Sequence, residues 1–183
     1  MHQAEPTPLR IGMVGYAFMG AAHSHAWRSA HRFFDLPLTP ELTAVAGRNP
    51  GAVEDAARKM GWASTETDWR NLIERDDIDL IDICSPGNTH AEIAVAALRA
   101  GKHVLCEKPL ANTVAEAEEM TAVAQEAARS GVFAMCGYSY RRTPALALAK
   151  RMVDDGRLGK IRQVRAQYLQ DWLENWCVDN PQT

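Results

Sequence analysis

Short apolar runs alternate with longer segments of mixed polarity over most of the chain. The apolar runs are rich in Val, Ile and Leu, which is typical of strands that are buried on both faces. The repeated β-α-β order with short connections predicts an α/β fold with a doubly wound parallel sheet. The predicted strands are Arg10–Val14, Leu42–Ala46, a weaker Trp62–Ser64, Asp79–Cys84, His103–Leu105 and Val132–Cys136.

The segments between the strands carry the end signals of helices. Thr89 with Glu92, and Thr113 with Glu116, fit the capping box, in which a hydroxyl and a carboxylate pair with free backbone N–H groups. The Ala- and Glu-rich segment Thr113–Ser130 is a strong helix prediction. Glycines follow the helical patterns, where a left-handed C-cap favours them, at Gly61, Gly101, Gly131 and Gly156.

The pattern changes after Gly137. Pro144–Asp155 is predicted to be a helix with proline in its first turn. Ile161–Leu169 alternates apolar and polar residues, which is typical of a strand with one wet face in an antiparallel sheet. We therefore predict a first domain over residues 1–137 and the incomplete start of a second, α+β domain over 138–183.

Composition excludes several classes of protein. The chain has 183 residues, is 46% hydrophobic and has a formal net charge of −3, which gives no electrostatic reason to expect nucleic acid or an anionic membrane as a partner. The four cysteines form no Cys-x-x-Cys pair and the N-terminus has no apolar signal segment, so we expect the cytoplasm. His23 and His25 flank Ser24 and diverge on a helix, so we predict no metal site there.

A glycine-containing turn follows the first predicted strand. Gly15 allows a tight turn, Gly20 allows the next helix to pack close to the sheet, and the helix N-terminus offers free N–H groups to a pyrophosphate. Ala17 stands where a middle glycine is usual. The strand before and the helix after favour dinucleotide binding over a merely structural turn.

The end of the second strand bears on the choice of cofactor. A carboxylate there usually holds the ribose of NAD, but this chain has Gly47-Arg48-Asn49. Asp35 has the expected spacing, but it precedes the strand. Arg48 could hold a 2′-phosphate. We therefore expect NAD(P) with a slight preference for NADP; the alternative is that Arg48 is a solvated loop residue.

Two later segments end strands at the same predicted edge. Ser85 and Pro86 follow the fourth strand, and His90 either lines the site or is a surface histidine. Lys108 follows the fifth strand between Glu107 and Pro109, where an ammonium could bind a substrate oxygen and stabilise its developing charge. Pro109 would fix the direction of the chain, and a cis peptide bond before it is one way to do so.

These motifs resemble those of the glucose–fructose oxidoreductase/inositol dehydrogenase family (Gfo/Idh/MocA). The resemblance covers nearly all of residues 9–172 and is most specific from Gly101 to Ala111. The further matching residues are Gly15–Gly20, Ser85-Pro86 with His90, and Gly137-Tyr138 with Arg141, Arg142 and Pro144.

The resemblance implies a Rossmann domain followed by an α/β domain with an open antiparallel sheet, with hydride transfer to or from a sugar, polyol or related hydroxyl compound. It places the motif lysine at Lys108, beside the nicotinamide. The expected cofactor-binding residues are Gly15, Ala17, Phe18, Met19, Gly20, Arg48, Ser85, Pro86, His90 and Glu107. Gly87 stands where an asparagine is common in the family.

One residue of the family pattern is missing from the chain. The family's acid–base histidine lies in an Asp-x-x-x-His motif of the second domain, and no histidine follows His103 here. We therefore expect a catalytically incomplete chain, which in a complete form associates with itself through the second-domain sheet. The alternative is a non-catalytic nucleotide-binding module or one half of a split protein.

Overall fold

The computed structural model describes residues 7–169. The chain forms two compact units, the first ending at Tyr138 and the second beginning at Ser139. In the described range, no helix is long and apolar enough to cross a membrane.

The first unit is built on one sheet of six parallel strands in the order β3-β2-β1-β4-β5-β6. Successive strands are added outward from β1 in one direction and then from β4 in the other, so the strand order reverses between β1 and β4. The doubly wound α/β prediction is therefore confirmed. The strands are β1 Thr7–Val14, β2 Leu38–Ala46, β3 Ser64–Glu66, β4 Leu80–Ile83, β5 His103–Cys106 and β6 Ala134–Cys136.

Helices cover both faces of this sheet. They are α1 Phe18–Ser29, α2 Pro50–Met60, α3 Trp69–Glu74, α4 His90–Arg99 and α5 Val114–Ala128, with short 3-10 helices at Ala30–Arg32 and Gly87–Thr89. Alternation along β1 divides the core: Ile11 and Met13 pack in one cluster with Val53 of α2, whereas Val14 packs in the other with Ile93 of α4. This is the two-layered core that a doubly wound sheet requires.

One of the two predicted capping boxes forms. The Thr113 hydroxyl accepts a hydrogen bond from the Glu116 N–H (3.2 Å), and the Glu116 carboxylate accepts one from the Thr113 N–H (2.9 Å). The Thr89 box was predicted wrongly: the Thr89 hydroxyl donates to the Pro86 carbonyl (2.7 Å), and Glu92 pairs with Arg70 instead. Thr89 already belongs to a 3-10 turn, so its backbone has the helical conformation in which its side chain cannot cap α4.

Several strand boundaries differ from the prediction; β1 begins at Thr7 rather than Arg10, and β6 begins at Ala134 rather than Val132. β2 begins at Leu38 rather than Leu42, because pairing with β1 extends its regular backbone through Pro40. β3 lies two residues later than the weak Trp62–Ser64 prediction, since Trp62 is buried against Val53 in the core.

The second unit contains a 3-10 helix at Ser139–Arg142 and α6, Pro144–Asp154, which confirms the predicted helix. The predicted strand Ile161–Leu169 is wrong: these residues form no strand and are exposed. A strand is stable only when a neighbour pairs with its backbone, and the described part of this unit contains no other strand. Trp172 and the fourth cysteine, Cys177, lie outside the described residues.

Candidate functional site

The carboxyl ends of β2, β1, β4 and β5 meet at one edge of the sheet. Backbone hydrogen bonds continue the parallel ladder into the loops: Gly15 donates to Ala46 (3.0 Å), Cys84 to Val14 (2.8 Å) and Glu107 to Ile83 (2.9 Å). The predicted turn after β1, the Ser85-Pro86 turn and the Glu107-Lys108 segment are therefore brought to the same edge.

The turn after β1 has room only for glycine at two positions. Gly15 has a φ of +97°, and a β-carbon there would lie 2.8 Å from the backbone of Cys84. A β-carbon on Gly20 would lie 2.3 Å from the Gly15 carbonyl oxygen. The chain therefore crosses tightly between β1, β4 and α1, as a dinucleotide-binding turn does.

The N-terminus of α1 is free to accept an anion. Ala17 is its N-cap, no side chain caps the helix, and the first turn contains no acidic residue. The helix dipole and the unpaired N–H groups therefore favour a phosphate there. Ala17 and Phe18 are exposed at this end, whereas the side chain of Met19 packs against the core and Gly20 is buried.

A cleft of about 650 Å³ lies along the carboxyl ends of β1 to β4, a size usual for ligand sites. Of the predicted residues, it is lined by Gly15, Ala17, Arg48, Ser85 and Pro86. The structure thus brings together the turn, the end of β2 and the end of β4, which are far apart in sequence.

Sequence reasoning missed several residues of this cleft. Tyr16 covers Gly47 so closely that a β-carbon on Gly47 would overlap its ring. Trp69 lines the far wall, with the Arg70 guanidinium 4.3 Å from the centre of its ring. The available signal was the Thr67-Asp68-Trp69 segment directly after β3, because the carboxyl end of β3 reaches the same edge as the other strands.

Arg48 is exposed in the cleft wall, and in the part of the chain described it forms no ion pair. Asp68 is the nearby acid, but its carboxylate accepts hydrogen bonds from the Arg70 backbone N–H (3.0 Å) and guanidinium (3.3 Å). These hydrogen bonds lower the pKa of Asp68, and the one from the backbone N–H has the larger effect. The Asp68 carboxylate is therefore engaged, and Arg48 is a cation available to a ligand.

His90 is buried, with 2% of its surface exposed, so the surface-histidine reading is wrong. Its ring nitrogens contact the carbonyl oxygens of Ser85 and Pro109, both at 2.9 Å. The ring thereby connects the loop after β4 to the loop after β5.

Lys108 lies at the carboxyl end of β5 with an exposed side chain, and the peptide bond between Lys108 and Pro109 is cis. Glu107 beside it is 7% exposed, and its Oε2 accepts the backbone N–H of Lys108 (3.0 Å). Its Oε1 lies 3.1 Å from Nε2 of His23, a residue that sequence reasoning did not place in the site. Neither Glu107 nor Lys108 lines the cleft described above; both stand at the next strand end.

A cluster of potential metal ligands lies behind this segment. One donor atom each of His23, Asp82 and Cys84 lies within 4.8 Å of the others. Among the described residues, every buried polar side-chain atom has a hydrogen-bond partner. The pKa of the Cys84 thiol is raised, mainly by burial and also by the nearby Asp82. A raised pKa disfavours the thiolate, which is the form that binds metals. We interpret the cluster as a hydrogen-bond network. His25 is exposed and is not among the residues of this cluster.

The family model for the oxidoreductase family with an NAD-binding Rossmann fold, Gfo/Idh/MocA, matches residues 9–138. The chain belongs to this family. The first unit is therefore an NAD-binding Rossmann domain, as the glycine turn and the strand order indicated.

Known proteins are similar to this chain over most of its length. It is 43% identical over 165 residues to levoglucosan dehydrogenase of Pseudarthrobacter phenanthrenivorans, covering 90% of this chain and 42% of that protein. A solved oxidoreductase domain protein from Kribbella flavida is 66% identical, with a TM-score of 0.88 over 91% of this chain and 44% of its own. Levoglucosan dehydrogenase in complex with NADH and levoglucosan is 42% identical, with a TM-score of 0.86 over 91% of this chain and 44% of its own. The chain thus spans less than half the length of these relatives.

Proposed function

We propose that this chain supplies the cofactor-binding part of an oxidoreductase that transfers a hydride between a nicotinamide dinucleotide and the carbinol carbon of a sugar or polyol. The observation that carries the proposal is the position of Lys108 at the carboxyl end of β5, on the edge that also holds the glycine turn and the cleft. Levoglucosan dehydrogenase and inositol dehydrogenases, which this chain resembles, act on compounds of this class.

The residues of the chain fit such a cofactor. The N–H groups at the start of α1 would bind the pyrophosphate, and Gly15 and Gly20 allow the tight turn and the close helix packing that place these groups at the sheet edge. Ser85 and Pro86 would border the path from the glycine turn towards Lys108. When bound, the nicotinamide ring supplies the hydride acceptor or donor.

The role of Lys108 follows from its charge and place. Its ammonium, which has no ion-pair partner within residues 7–169, would donate a hydrogen bond to the oxygen of the reacting carbon. This contact orients the substrate and stabilises the negative charge that develops on that oxygen. The acid–base group that the family pattern assigns to a histidine after this region would complete the proton transfer.

We also propose that Arg48 contacts the adenosine ribose and favours NADP through its 2′-phosphate. Its support is the engaged Asp68 carboxylate and the absence of an acidic residue in Gly47-Arg48-Asn49. The NADH complex of levoglucosan dehydrogenase supports NAD(H) as a cofactor that a related cleft accepts. We therefore expect both cofactors to bind.

The test separates binding from chemistry. Wild-type chain and a Lys108→Ala variant are titrated with NADH and NADPH by nicotinamide fluorescence. Turnover is measured in a catalytically complete form, such as this chain fused to the remaining length of levoglucosan dehydrogenase. We expect Lys108→Ala to leave both dissociation constants within about threefold and to lower kcat at least about a hundredfold.

A matched control is Lys59→Ala, because Lys59 is an exposed lysine of α2. Turnover that survives Lys108→Ala would remove Lys108 from the reaction. Saturable cofactor binding by a complete form that neither oxidises nor reduces a sugar or polyol would favour the rival function, a nucleotide-binding module without catalysis.

A further inference from the structure

Two buried carboxylates lie on either side of one histidine behind the Glu107-Lys108 segment. His23 Nδ1 is 3.0 Å from both carboxylate oxygens of Asp82, and His23 Nε2 is 3.1 Å from Oε1 of Glu107. Asp82, on β4, is fully buried, and 16% of the His23 side chain is exposed. The imidazole of α1 therefore bridges the ends of two neighbouring strands.

Both carboxylates are held by further contacts. The indole N–H of Trp27 donates to Asp82 (2.7 Å), which fixes that carboxylate from the same helix as His23. A β-carbon on Gly137 would lie 2.9 Å from Glu107 Oε1, so the residue after β6 packs closely against the glutamate carboxylate. The glutamate has little space for a second position while His23 and Gly137 enclose it.

The bridge needs two protons on the histidine ring. A neutral imidazole carries one N–H, and its other nitrogen would then present a lone pair to a carboxylate oxygen. An imidazolium donates to both carboxylates and compensates part of their buried charge. The hydrogen bond to Asp82 raises the pKa of His23 against the opposing effect of burial, and Glu107 adds to the rise.

Three thiols, those of Cys84, Cys106 and Cys136, also interact with the carboxylates of this cluster in the part of the chain described. Cys84 Sγ lies 3.6 Å from Asp82 Oδ1, and Cys106 precedes Glu107. Burial raises the thiol pKa of both, that of Cys106 to about 12. The thiols therefore stay neutral at physiological pH, and the imidazole that contacts both carboxylates, His23, is of the residue type that ordinarily titrates near neutrality.

We propose that His23 is a positioning residue for Lys108: it bridges Asp82 to Glu107, whose second oxygen holds the Lys108 backbone N–H. The proposal rests on the function proposed for Lys108, and it adds a residue from α1 to that site. Without the imidazolium, Glu107 would be a buried carboxylate with one hydrogen-bond partner fewer. Its carboxylate would then be less well fixed, and its hydrogen bond from the Lys108 backbone N–H would weaken.

The test uses NMR on the chain itself and needs no turnover. In the wild type, ¹⁵N imidazole spectra are expected to show both His23 nitrogens protonated at neutral pH. The Lys108 amide resonance is expected to move with the same midpoint as the His23 ring during a pH titration. His23→Gln should abolish that movement and speed hydrogen exchange of the Lys108 amide about tenfold.

His25→Gln is the matched control, because His25 is an exposed residue of the same helix. It should leave the Lys108 titration and exchange unchanged. If His23→Gln fails to fold, Glu107→Gln tests the same link, since it removes the charge that joins His23 to the Lys108 amide.

Two results would overturn the proposal. One is a His23 ring with a single proton at neutral pH, because one of its nitrogens would then have no N–H to donate to its carboxylate. The other is a Lys108 amide that is indifferent to His23. Failure of the proposed catalytic function is separate, because it would appear as Lys108→Ala without effect on turnover while the NMR coupling persisted.

Discussion

Gly20 packs against Gly15 so closely that a β-carbon on Gly20 would lie 2.3 Å from the Gly15 carbonyl oxygen. The obstacle is backbone, which cannot rotate away as a side chain can. This contact sets the distance between α1 and the end of β1, and with it the place where the helix N-terminus meets a phosphate.

Gly20→Val is therefore expected to weaken NADH and NADPH binding together, at least about tenfold, because it pushes α1 away from the turn. The measurement is a fluorescence titration, with circular dichroism to establish that the variant is folded. Gly51→Ala in α2 is the control, since the nearest atom to a β-carbon there is 3.8 Å away. Unchanged binding by a folded Gly20→Val variant would separate this contact from the cofactor site.

Arg48→Ala is expected to raise the dissociation constant of NADPH about tenfold and that of NADH less than about twofold. The reason is that a charge-assisted hydrogen bond to the 2′-phosphate exists only with NADPH. Arg32→Ala is a suitable control, because Arg32 is an exposed arginine that follows the C-terminal end of α1. An equal effect on both cofactors, or none, would contradict the assignment of Arg48.

His23→Gln is expected to lower the free energy of unfolding by about 1–3 kcal/mol, because two buried carboxylates lose a charged donor. The pKa of His23 is raised from 6.5 in the folded state, so the native chain binds the proton more tightly than the unfolded chain. This stabilisation is complete below about pH 6.5 and is lost as the pH rises through the folded-state pKa.

The difference in stability between wild type and His23→Gln should therefore shrink as the pH increases above neutrality. Urea unfolding of both proteins at several pH values measures it, with His25→Gln as the control that shows no such trend. A difference that grew with pH would have the wrong sign for a histidine protonated in the fold.

Thr113→Ala is expected to cost about 1 kcal/mol of stability, since it removes the hydroxyl that caps α5. Thr121→Ala on the same helix should be close to neutral, because the exposed Thr121 hydroxyl bonds only within the helix, to the carbonyl of Ala117. Thermal unfolding of the two variants compares them directly. Equal losses would show that capping does not limit the stability of α5.

Much of the fold could be predicted from local pattern. The apolar runs marked the strands, and the glycines after helical segments adopt positive φ at Gly61, Gly101, Gly131 and Gly156. The prediction of the Thr113 capping box is confirmed, because its donors and acceptors lie within one helical turn. The Thr89 box failed because a 3-10 turn, set by the preceding loop, had already fixed the Thr89 backbone.

The candidate site divides in the same way. Gly15, Arg48 and Lys108 were recognisable because each stands at a strand end, and the ends of parallel strands share one edge. The spacing of His23 and His25 suggests only a metal pair, and the position of His90 in the sequence fits a site residue and a surface residue equally. The alternation along α1 showed that His23 and His25 diverge, but it could not show what either side chain faces.

The sequence by itself determined the order of strands and helices, the glycine turns and the family motifs, because these depend on backbone preferences and on neighbours within a few residues. Only the tertiary structure decided that His23 lies between Asp82 and Glu107, which are 59 and 84 residues away along the chain. That contact exists because the crossover connections place β1 beside β4 and β4 beside β5, and because α1 packs over them. The hydrogen bond to Asp82, and then the one to Glu107, raise the pKa of the His23 imidazole, an effect that no local pattern of residues encodes.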